Sequence, residues 1–470
     1  MNIKSASFIN SKTLNILLLF FPATFLIGNA AVNIHILLVC VTGIIVFKKE
    51  IFSFKNEKLS VVILIFFILI LFSTLIDISK DPRNDHFFKS IAYFRYFFLF
   101  LVSSCLVRSG KFKIKYFLVS CLVCLLFLSL DIIYQFLNGS DIFGFVGYEG
   151  YNEANPHSGK SKYHLAGFLN DEYVAGGYIQ KFFVFALILI PVIWKKLDKP
   201  KFLISTILPI IFFSGILFSG NRIPLMMFCV SILLMMILIK ELRLSLGIAF
   251  LFCVLIFTTS IKTNDNLREY YESFYNNSSA IIALMKKFVP QKYPELEKRR
   301  EENCIEKSND LFCEHFSKYF KNNKVQRKYE TPAYGSGHWV IYLTAIDVWI
   351  DNPIIGNGIK SFRIKCSTKL HLPNRICTNH PHNYYLELLN DTGLLGTLLL
   401  VCAIFYLITN KFFNFKYYGK NEKFLFICFL IIIIIELFPL RSSGSFFSTT
   451  NSSFIFLILG MLNGLKKIKK

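Results

Sequence analysis

Residues 59–78 read LSVVILIFFILILFSTLIDI and carry a single charged side chain, Asp77, close to the end. A stretch of this length and polarity can cross the hydrocarbon core of a bilayer as one helix. The pattern recurs along the chain: 54% of the 470 residues are hydrophobic, 17% are charged, and phenylalanine alone occurs 52 times. This composition excludes a soluble enzyme and a disordered or fibrous chain.

The apolar runs predict an all-α polytopic integral membrane protein with about 12 transmembrane helices. The first run could also be a cleaved signal peptide, but a second run follows at once, which favours an uncleaved hairpin of two helices. The predicted spans are residues 13–29, 31–47, 59–78, 87–107, 115–138, 173–194, 202–219, 223–239, 244–262, 385–409, 423–440 and 449–465.

Lysine and arginine are distributed unevenly between successive loops. With the N-terminus inside, the short inner segments hold 24 of these residues and the short outer segments hold 7. This bias predicts a multi-pass protein of the bacterial inner membrane with both termini in the cytoplasm. Much of the net charge of +22 then faces anionic lipid of the inner leaflet, so we expect no nucleic-acid partner.

This topology divides the chain into three parts. Residues 1–262 form an N-terminal membrane bundle of about 9 helices with an outer loop at 139–172. Residues 263–384 form one large periplasmic loop with amphipathic helices, one of them at 337–350. Residues 385–470 hold about 3 further membrane helices.

Four of the twelve cysteines lie in the large loop. Disulfides are allowed there if the loop is periplasmic. Neighbours in sequence suggest the pairs Cys304–Cys313 and Cys366–Cys377, which is one of three connectivities; four free thiols are the alternative.

Several chemistries have no motif in this chain. The sequence contains no P-loop, no D-x-D and no H-E-x-x-H, and the pair Gly356-x-Gly358 lacks the third glycine of a dinucleotide-binding turn. His380-Pro381-His382 has no carboxylate or cysteine cluster nearby, so we predict no metal site and no cofactor. An enzyme of this kind would take its energy from the substrate.

Residues 379–391, NHPHNYYLELLND, place His380 and His382 at the outer mouth of a helix that enters the membrane. Polar residues in the first two turns, among them Glu387 and Asp391, are expensive in lipid. They favour a polar, water-accessible pocket with a histidine base. A capped helix start with interfacial histidine and tyrosine anchors is the alternative.

Three arginines lie at or in predicted spans: Arg222 and Arg441 at outer helix ends, and Arg95 inside a span. A guanidinium at such depth needs an anionic partner or a wet cavity. Lipid-linked phosphate is one candidate, because arginine binds phosphate through two parallel hydrogen bonds. The alternatives are snorkelling to headgroups for the first two, and an internal ion pair or helix-end carbonyls for Arg95.

Together these motifs resemble the bacterial O-antigen ligase and polymerase family of polytopic membrane proteins. The resemblance runs from about residue 165 to 460 and rests on SGNR at 219–222, DNPIIGNG at 351–358, His382-Asn383 with Gly393-x-x-Gly396, and PLRSSGSFF at 439–447. Residues 167–176 look similar as well.

The resemblance implies a metal- and ATP-independent inverting glycosyltransferase whose site faces the periplasm. The donor would be a glycan on undecaprenyl pyrophosphate, and the acceptor of a ligase would be a sugar hydroxyl of lipid A–core. His382 would be the base or positioning group, with His380 and Asn383 in support. Outer arginines would hold the pyrophosphate, and Arg222 matches the family best.

One position departs from the family pattern. Relatives usually place an arginine where this chain has His338, so a second phosphate-binding arginine would come from elsewhere. Arg363, Arg375 and Arg441 are the candidates, and His338 would be structural or a replacement donor.

Two other functions stay open. A polymerase would use the same donor with a second lipid-linked repeat as acceptor. A transporter would place polar residues near mid-bilayer in paired, interrupted helices. The polar residues gather at the outer face instead, although Arg95, Asp131 and Glu436 keep the transporter hypothesis open.

Overall fold

The structure is a computed structural model, and it describes residues 11–80, 86–150, 162–170, 174–194, 199–272, 337–372, 375–439, 441–442 and 444–466. These residues are mostly helical, with one antiparallel pair of short strands, β1 (Tyr148–Gly150) and β2 (Lys162–His164). Cys304 and Cys313, with much of the predicted large loop, lie outside the described residues.

A helix occupies each of the predicted spans, and the fourth is divided at Phe94. Eight stretches are long and apolar enough to cross a membrane. Four other helices at span positions, α1, α10, α15 and α16, have only 16 or 17 residues, so the count of twelve spans stays a prediction. The helices are α1 (Ser11–Ile27), α2 (Asn29–Val46), α3 (Lys48–Phe52), α4 (Lys58–Lys80), α5 (Phe87–Tyr93), α6 (Arg95–Arg108), α7 (Ile114–Asn138), α8 (Ala175–Ile193), α9 (Lys199–Phe218), α10 (Arg222–Leu238), α11 (Arg243–Thr263), α12 (Gly337–Ile350), α13 (Phe362–Lys365), α14 (Tyr384–Phe413), α15 (Lys420–Glu436) and α16 (Thr449–Gly464).

The helices differ in how much of their apolar surface faces protein. Of the residues in the apolar stretch of α8, 83% are buried inside the protein, whereas in the stretch that contains α11 only 28% are buried. Leu244 and Leu251 of α11 are 69% and 70% exposed. A helix that is apolar all round must face protein or lipid. The core of the bundle therefore lies around α8, and α11 presents an apolar face outward.

Contacts at one end of the bundle join segments that the charge pattern predicts to be inner. The Asn15 Oδ1 atom accepts a hydrogen bond from the Lys113 backbone N–H at 2.7 Å. Arg108, at the end of α6, forms an ion pair with Glu57. The predicted inner segments 48–58 and 108–115 thus meet each other, and the start of α1 lies beside the second of them.

Contacts at the other end join predicted outer segments. His164 of β2 lies with its Nδ1 atom 3.3 Å from the carbonyl oxygen of Ser219. The Asn383 amide donates to the Pro439 carbonyl at 2.8 Å. The loop after α7 therefore contacts the end of α9, and the residue before α14 contacts the segment between α15 and α16, at the predicted outer ends of these spans.

Helix α14 bends at Gly393, where φ is 64° and ψ is −169°. The turn that follows α12 lies against this bend. The Leu394 N–H donates to the Pro353 carbonyl at 2.8 Å, and the Gly358 N–H donates to the Asp391 carbonyl at 3.0 Å. These bonds fix the connection between α12 and α13 on the first turns of α14.

Candidate functional site

Three histidine rings meet at the start of α14. The centroid of the His382 ring is 4.1 Å from that of His380 and 5.1 Å from that of His338. His380 and His382 directly precede α14, whereas His338 lies in the first turn of α12. The structure thus brings together three predicted site residues from two separate elements.

Asn383 is the N-cap of α14. Its Oδ1 atom accepts from the backbone N–H groups of Tyr385 at 3.0 Å and Leu386 at 3.2 Å, and its Nδ2 atom donates to the Pro439 carbonyl. Such a cap satisfies N–H groups that have no partner inside the helix. It also fixes the backbone directly after His382.

An open cleft of about 540 Å³ lies beside the histidines. A disulfide between Cys366 and Cys377 ties one wall of the cleft to the turn that follows α13. In the part of the chain that the structure describes, no group of three or more His, Cys, Asp and Glu side chains has a metal-binding arrangement. The residues that line the cleft are Arg363, Cys377, Thr378, Asn379, His380 and His382.

The electrostatic environment keeps His380 neutral. Burial lowers the pKa of His380 from its ordinary value of 6.5, and the nearby charges of Arg363, His338 and Lys360 lower it further. Its Nε2 atom is buried without a hydrogen-bond partner among the described residues. A neutral imidazole can accept a proton, so this ring stays proton-accepting to a lower pH than an exposed histidine would.

Arg222 lies in a different set of contacts. Its guanidinium carbon is 3.5 Å from the centroid of the Tyr270 ring, and its Nη2 atom donates to the Tyr270 carbonyl at 2.5 Å. A guanidinium over an aromatic face is a cation–π contact. The structure places Arg222 at the α9–α10 turn and not among the residues that line the cleft.

Arg441 points into the protein. It is 9% exposed, and its Nη1 atom lies 3.2 Å from Glu436 Oε1. The other carboxylate oxygen of Glu436 receives the ammonium of Lys181 at 2.7 Å. Of the predicted phosphate-binding arginines, Arg363 is the one that lines the cleft within the described residues.

The carboxylates in the first turns of α14 anchor neighbouring loops. Glu387 accepts hydrogen bonds from the Ser445 hydroxyl and the Phe446 N–H, both at 2.5 Å. Asp391 accepts from the Lys360 N–H at 2.6 Å. Both carboxylates are buried, so they hold the loops around the cleft and do not line it.

Sequence reasoning missed two groups beside the histidines. The Ser442 hydroxyl lies 3.5 Å from His338 Nε2. Lys360 has a positive φ of 58° and contributes to the charge around His380. In the sequence, the one feature near Lys360 is the Gly356-Asn357-Gly358 turn, which ends two residues before it.

The family model described as O-antigen ligase matches residues 207–401. This segment is thus similar to the O-antigen ligase family, as the motifs of the sequence indicate. It contains Arg222, the three histidines and the bend of α14, whereas Arg441 lies beyond it. No curated protein matches the chain. The family and the eight apolar helices indicate a multi-pass protein of a bacterial inner membrane with a ligase or polymerase type of glycan transfer.

Proposed function

We propose that the chain is a ligase-type glycosyltransferase that moves a glycan from undecaprenyl pyrophosphate to a sugar hydroxyl of lipid A–core. The observation that carries the proposal is the meeting of His338, His380 and His382 beside one open cleft that Arg363 also lines. Such a cleft combines proton acceptors with a cation for a phosphate group. A weak hydroxyl nucleophile and an anionic leaving group require those two functions.

In the proposed reaction His382 takes the proton of the acceptor hydroxyl. The acceptor oxygen forms a bond to the anomeric carbon of the donor while the bond from that carbon to the phosphate oxygen breaks. The electron pair of the broken bond leaves with the pyrophosphate, and Arg363 offsets the charge that develops. Attack from the opposite face inverts the anomeric carbon. Because pyrophosphate is a good leaving group once its charge is compensated, the proposal requires no ATP, metal or covalent intermediate.

We also propose the topology that the apolar runs and the distribution of lysine and arginine predict. It has about twelve spans, both termini in the cytoplasm and the cleft facing the periplasm. The chain then divides into a membrane bundle (1–262), a large periplasmic loop (263–384) and a C-terminal group of membrane helices (385–470). The contacts of the fold support it, because two predicted inner segments contact each other and predicted outer loops contact the outer ends of predicted spans. The disulfide beside the cleft supports an oxidising compartment on that side.

The charged residues that favoured a transporter have partners inside the protein. Arg95 donates to the side-chain oxygen of Asn33 at 3.1 Å. Asp131 accepts from the Phe168 N–H at 2.7 Å, and Glu436 is paired as described above. These partners support structural roles for the three residues.

The test is a reconstitution. Purified protein receives undecaprenyl pyrophosphate glycan with and without lipid A–core, in chelator and without ATP. We compare the wild type with His382→Asn, since asparagine tolerates the positive φ of 56° at this position better than alanine. Loss of a general base should lower the transfer rate by roughly 100-fold or more. His371→Asn is the control, because His371 is exposed and does not line the cleft.

Each outcome decides between functions. Glycan on lipid A–core in the wild type alone supports the ligase. A lengthening ladder that stays on undecaprenyl pyrophosphate means a polymerase. Transfer that returns only when a divalent metal replaces the chelator contradicts metal independence. No transfer to either acceptor rejects the proposal.

A further inference from the structure

The basic side chains of the segment that carries the cleft fall into two groups. One group is neutralised by carboxylates, and a cation that is already paired offers little charge to a substrate. The neutralised pairs are Arg375 with Asp347, Lys365 with Asp77, Lys369 with Asp351 and Arg441 with Glu436.

Arg363 and Lys360 form the other group. Within the described ranges, neither side chain has an ion pair or a hydrogen bond to another group. Arg363 is exposed and lines the cleft, and Lys360 is half-buried. The two residues are three positions apart, on either side of the start of α13. Two cations without an ion-pair partner in the described part therefore lie near each other, one lining the cleft and one beside it.

The position of Lys360 is held by the fold. Its N–H donates to the buried carboxylate of Asp391, and its φ of 58° lies in a region that residues other than glycine rarely occupy. His382, Asn170 and Lys360 are the residues other than glycine with positive φ in the described part, and two of these three flank the cleft. Strained backbone of this kind is typical of functional sites.

The surroundings of Lys360 favour an anionic ligand. Burial lowers the pKa of Lys360, and the charges of Arg363 and Lys89 lower it further, whereas the charges of Glu387 and Asp391 raise it. The carboxylates of Glu387 and Asp391 offset part of the cost of this half-buried ammonium, and a bound anion would offset more of it. A diphosphate diester carries one negative charge on each phosphate, which matches two neighbouring cations in number better than a single phosphate or carboxylate does.

We propose that Lys360 and Arg363 together bind the pyrophosphate of the lipid-linked donor, with Lys360 taking the place of the second arginine that this chain lacks at His338. The proposal rests on the proposed function and names residues of the same site. In the transfer, the electron pair of the bond between anomeric carbon and phosphate oxygen leaves with the pyrophosphate. The acceptor proton goes to a histidine, and the two cations offset the negative charge of the leaving group.

The experiment measures binding of undecaprenyl pyrophosphate without glycan to the purified full-length protein in detergent. Lys360→Asn removes the charge and suits the left-handed backbone, and Arg363→Gln removes the second charge. Loss of one charge-assisted contact should weaken binding roughly tenfold to a hundredfold. Lys360→Arg keeps the charge and should restore part of the affinity that Lys360→Asn loses, whereas the control Lys369→Gln, whose lysine is paired with Asp351, should bind as the wild type does. Undecaprenyl monophosphate should respond less to either charge removal than the pyrophosphate does.

Melting temperatures identify variants that do not fold, and if Lys360→Asn is one of them, Lys360→Gln and the exposed Arg363→Gln are measured in its place. Unchanged affinity for undecaprenyl pyrophosphate in folded Lys360→Asn overturns the inference. So does a loss of affinity confined to lipid A–core, which would make Lys360 an acceptor residue. Pyrophosphate binding that needs both cations, in a wild type that transfers no glycan, supports the inference and rejects the proposed function.

Discussion

His382 has a strained backbone conformation, and the residue after it, Asn383, is held in place by its hydrogen bonds. Its φ of 56° is costly for a residue with a side chain, and Asn383 directly after it caps α14. The cap and the bond from Asn383 to Pro439 hold the backbone, so the imidazole can keep its contacts with His380 and His338. At the scale of single residues, the site depends on ring positions that the start of one helix determines.

The titration of His380 predicts a loss of stability in acid. The unfolded chain takes up a proton at His380 near pH 6.5, whereas the folded protein takes it up only at lower pH. Because the unfolded state binds more protons in this window, the free energy of unfolding falls as pH drops from the unfolded pKa through the lower folded pKa. Melting temperatures at about pH 7.5 and about pH 5.5 measure this effect.

We expect His380→Gln to lose less melting temperature over that interval than the wild type does. His371→Gln, which changes an exposed histidine, should lose as much as the wild type. An equal loss in wild type and His380→Gln would show that this residue is not the acid-sensitive group.

At the scale of elements, the bend of α14 and the turn after α12 depend on each other. Gly393 has backbone angles that side chains essentially exclude, and a Cβ atom there would overlap the carbonyl group of Ile354. The same turn leads to Lys360, whose backbone N–H donates a hydrogen bond to the Asp391 carboxylate. Packing of these two elements therefore sets the position of one wall of the cleft.

Gly393→Ala should destabilise the protein and reduce transfer together. The backbone conformation alone costs about 1–3 kcal/mol for a residue with a side chain, and the overlap adds to that cost. Gly177→Ala is the matched control, since a Cβ atom at this helical position meets nothing within 4 Å. Alanine there should be neutral or slightly stabilising. Melting temperature and transfer rate of both variants test the prediction, which fails if Gly393→Ala behaves as Gly177→Ala does.

At the scale of the whole molecule, a buried charge cluster links α8 to the segment between α15 and α16. Glu436 binds Lys181 of α8 and Arg441 of that segment. The same segment provides the carbonyl of Pro439 for Asn383 and the hydroxyl of Ser442 near His338. The centre of the bundle is thereby connected to the candidate site through short-range contacts.

Removal of the Glu436 carboxylate should lower the free energy of unfolding more than removal of the Lys181 ammonium does. Glu436→Gln leaves two buried cations without their partner, and breaking such a buried pair typically costs about 3–5 kcal/mol. Lys181→Met leaves Glu436 paired with Arg441, so its cost should be smaller. Thermal unfolding in detergent, followed by intrinsic fluorescence, ranks the two variants. The reverse order would mean that Arg441 does not hold Glu436 as the structure shows.

The sequence by itself determined the helical segments and the start of α14. Residues 59–78 are apolar enough to predict a helix from local composition, and an asparagine that precedes an apolar run is typical of an N-cap. The prediction of a histidine pair at a helix mouth needed only neighbours in the chain. These features depend on interactions over a few residues, or on the length of a run against the thickness of a bilayer.

Only the tertiary structure decided which cations remain available and which histidines meet. His338 reaches His382 because α12 packs on α14, and Arg441 turns inward because Glu436 and Lys181 are buried beside it. In the sequence, Lys360 does not differ from the other lysines of its segment. That it forms no ion pair among the described residues is seen only in the structure, where the neighbouring basic residues are paired with carboxylates. Such contacts depend on which helices pack together, and local pattern cannot specify that because it carries no information on distant partners.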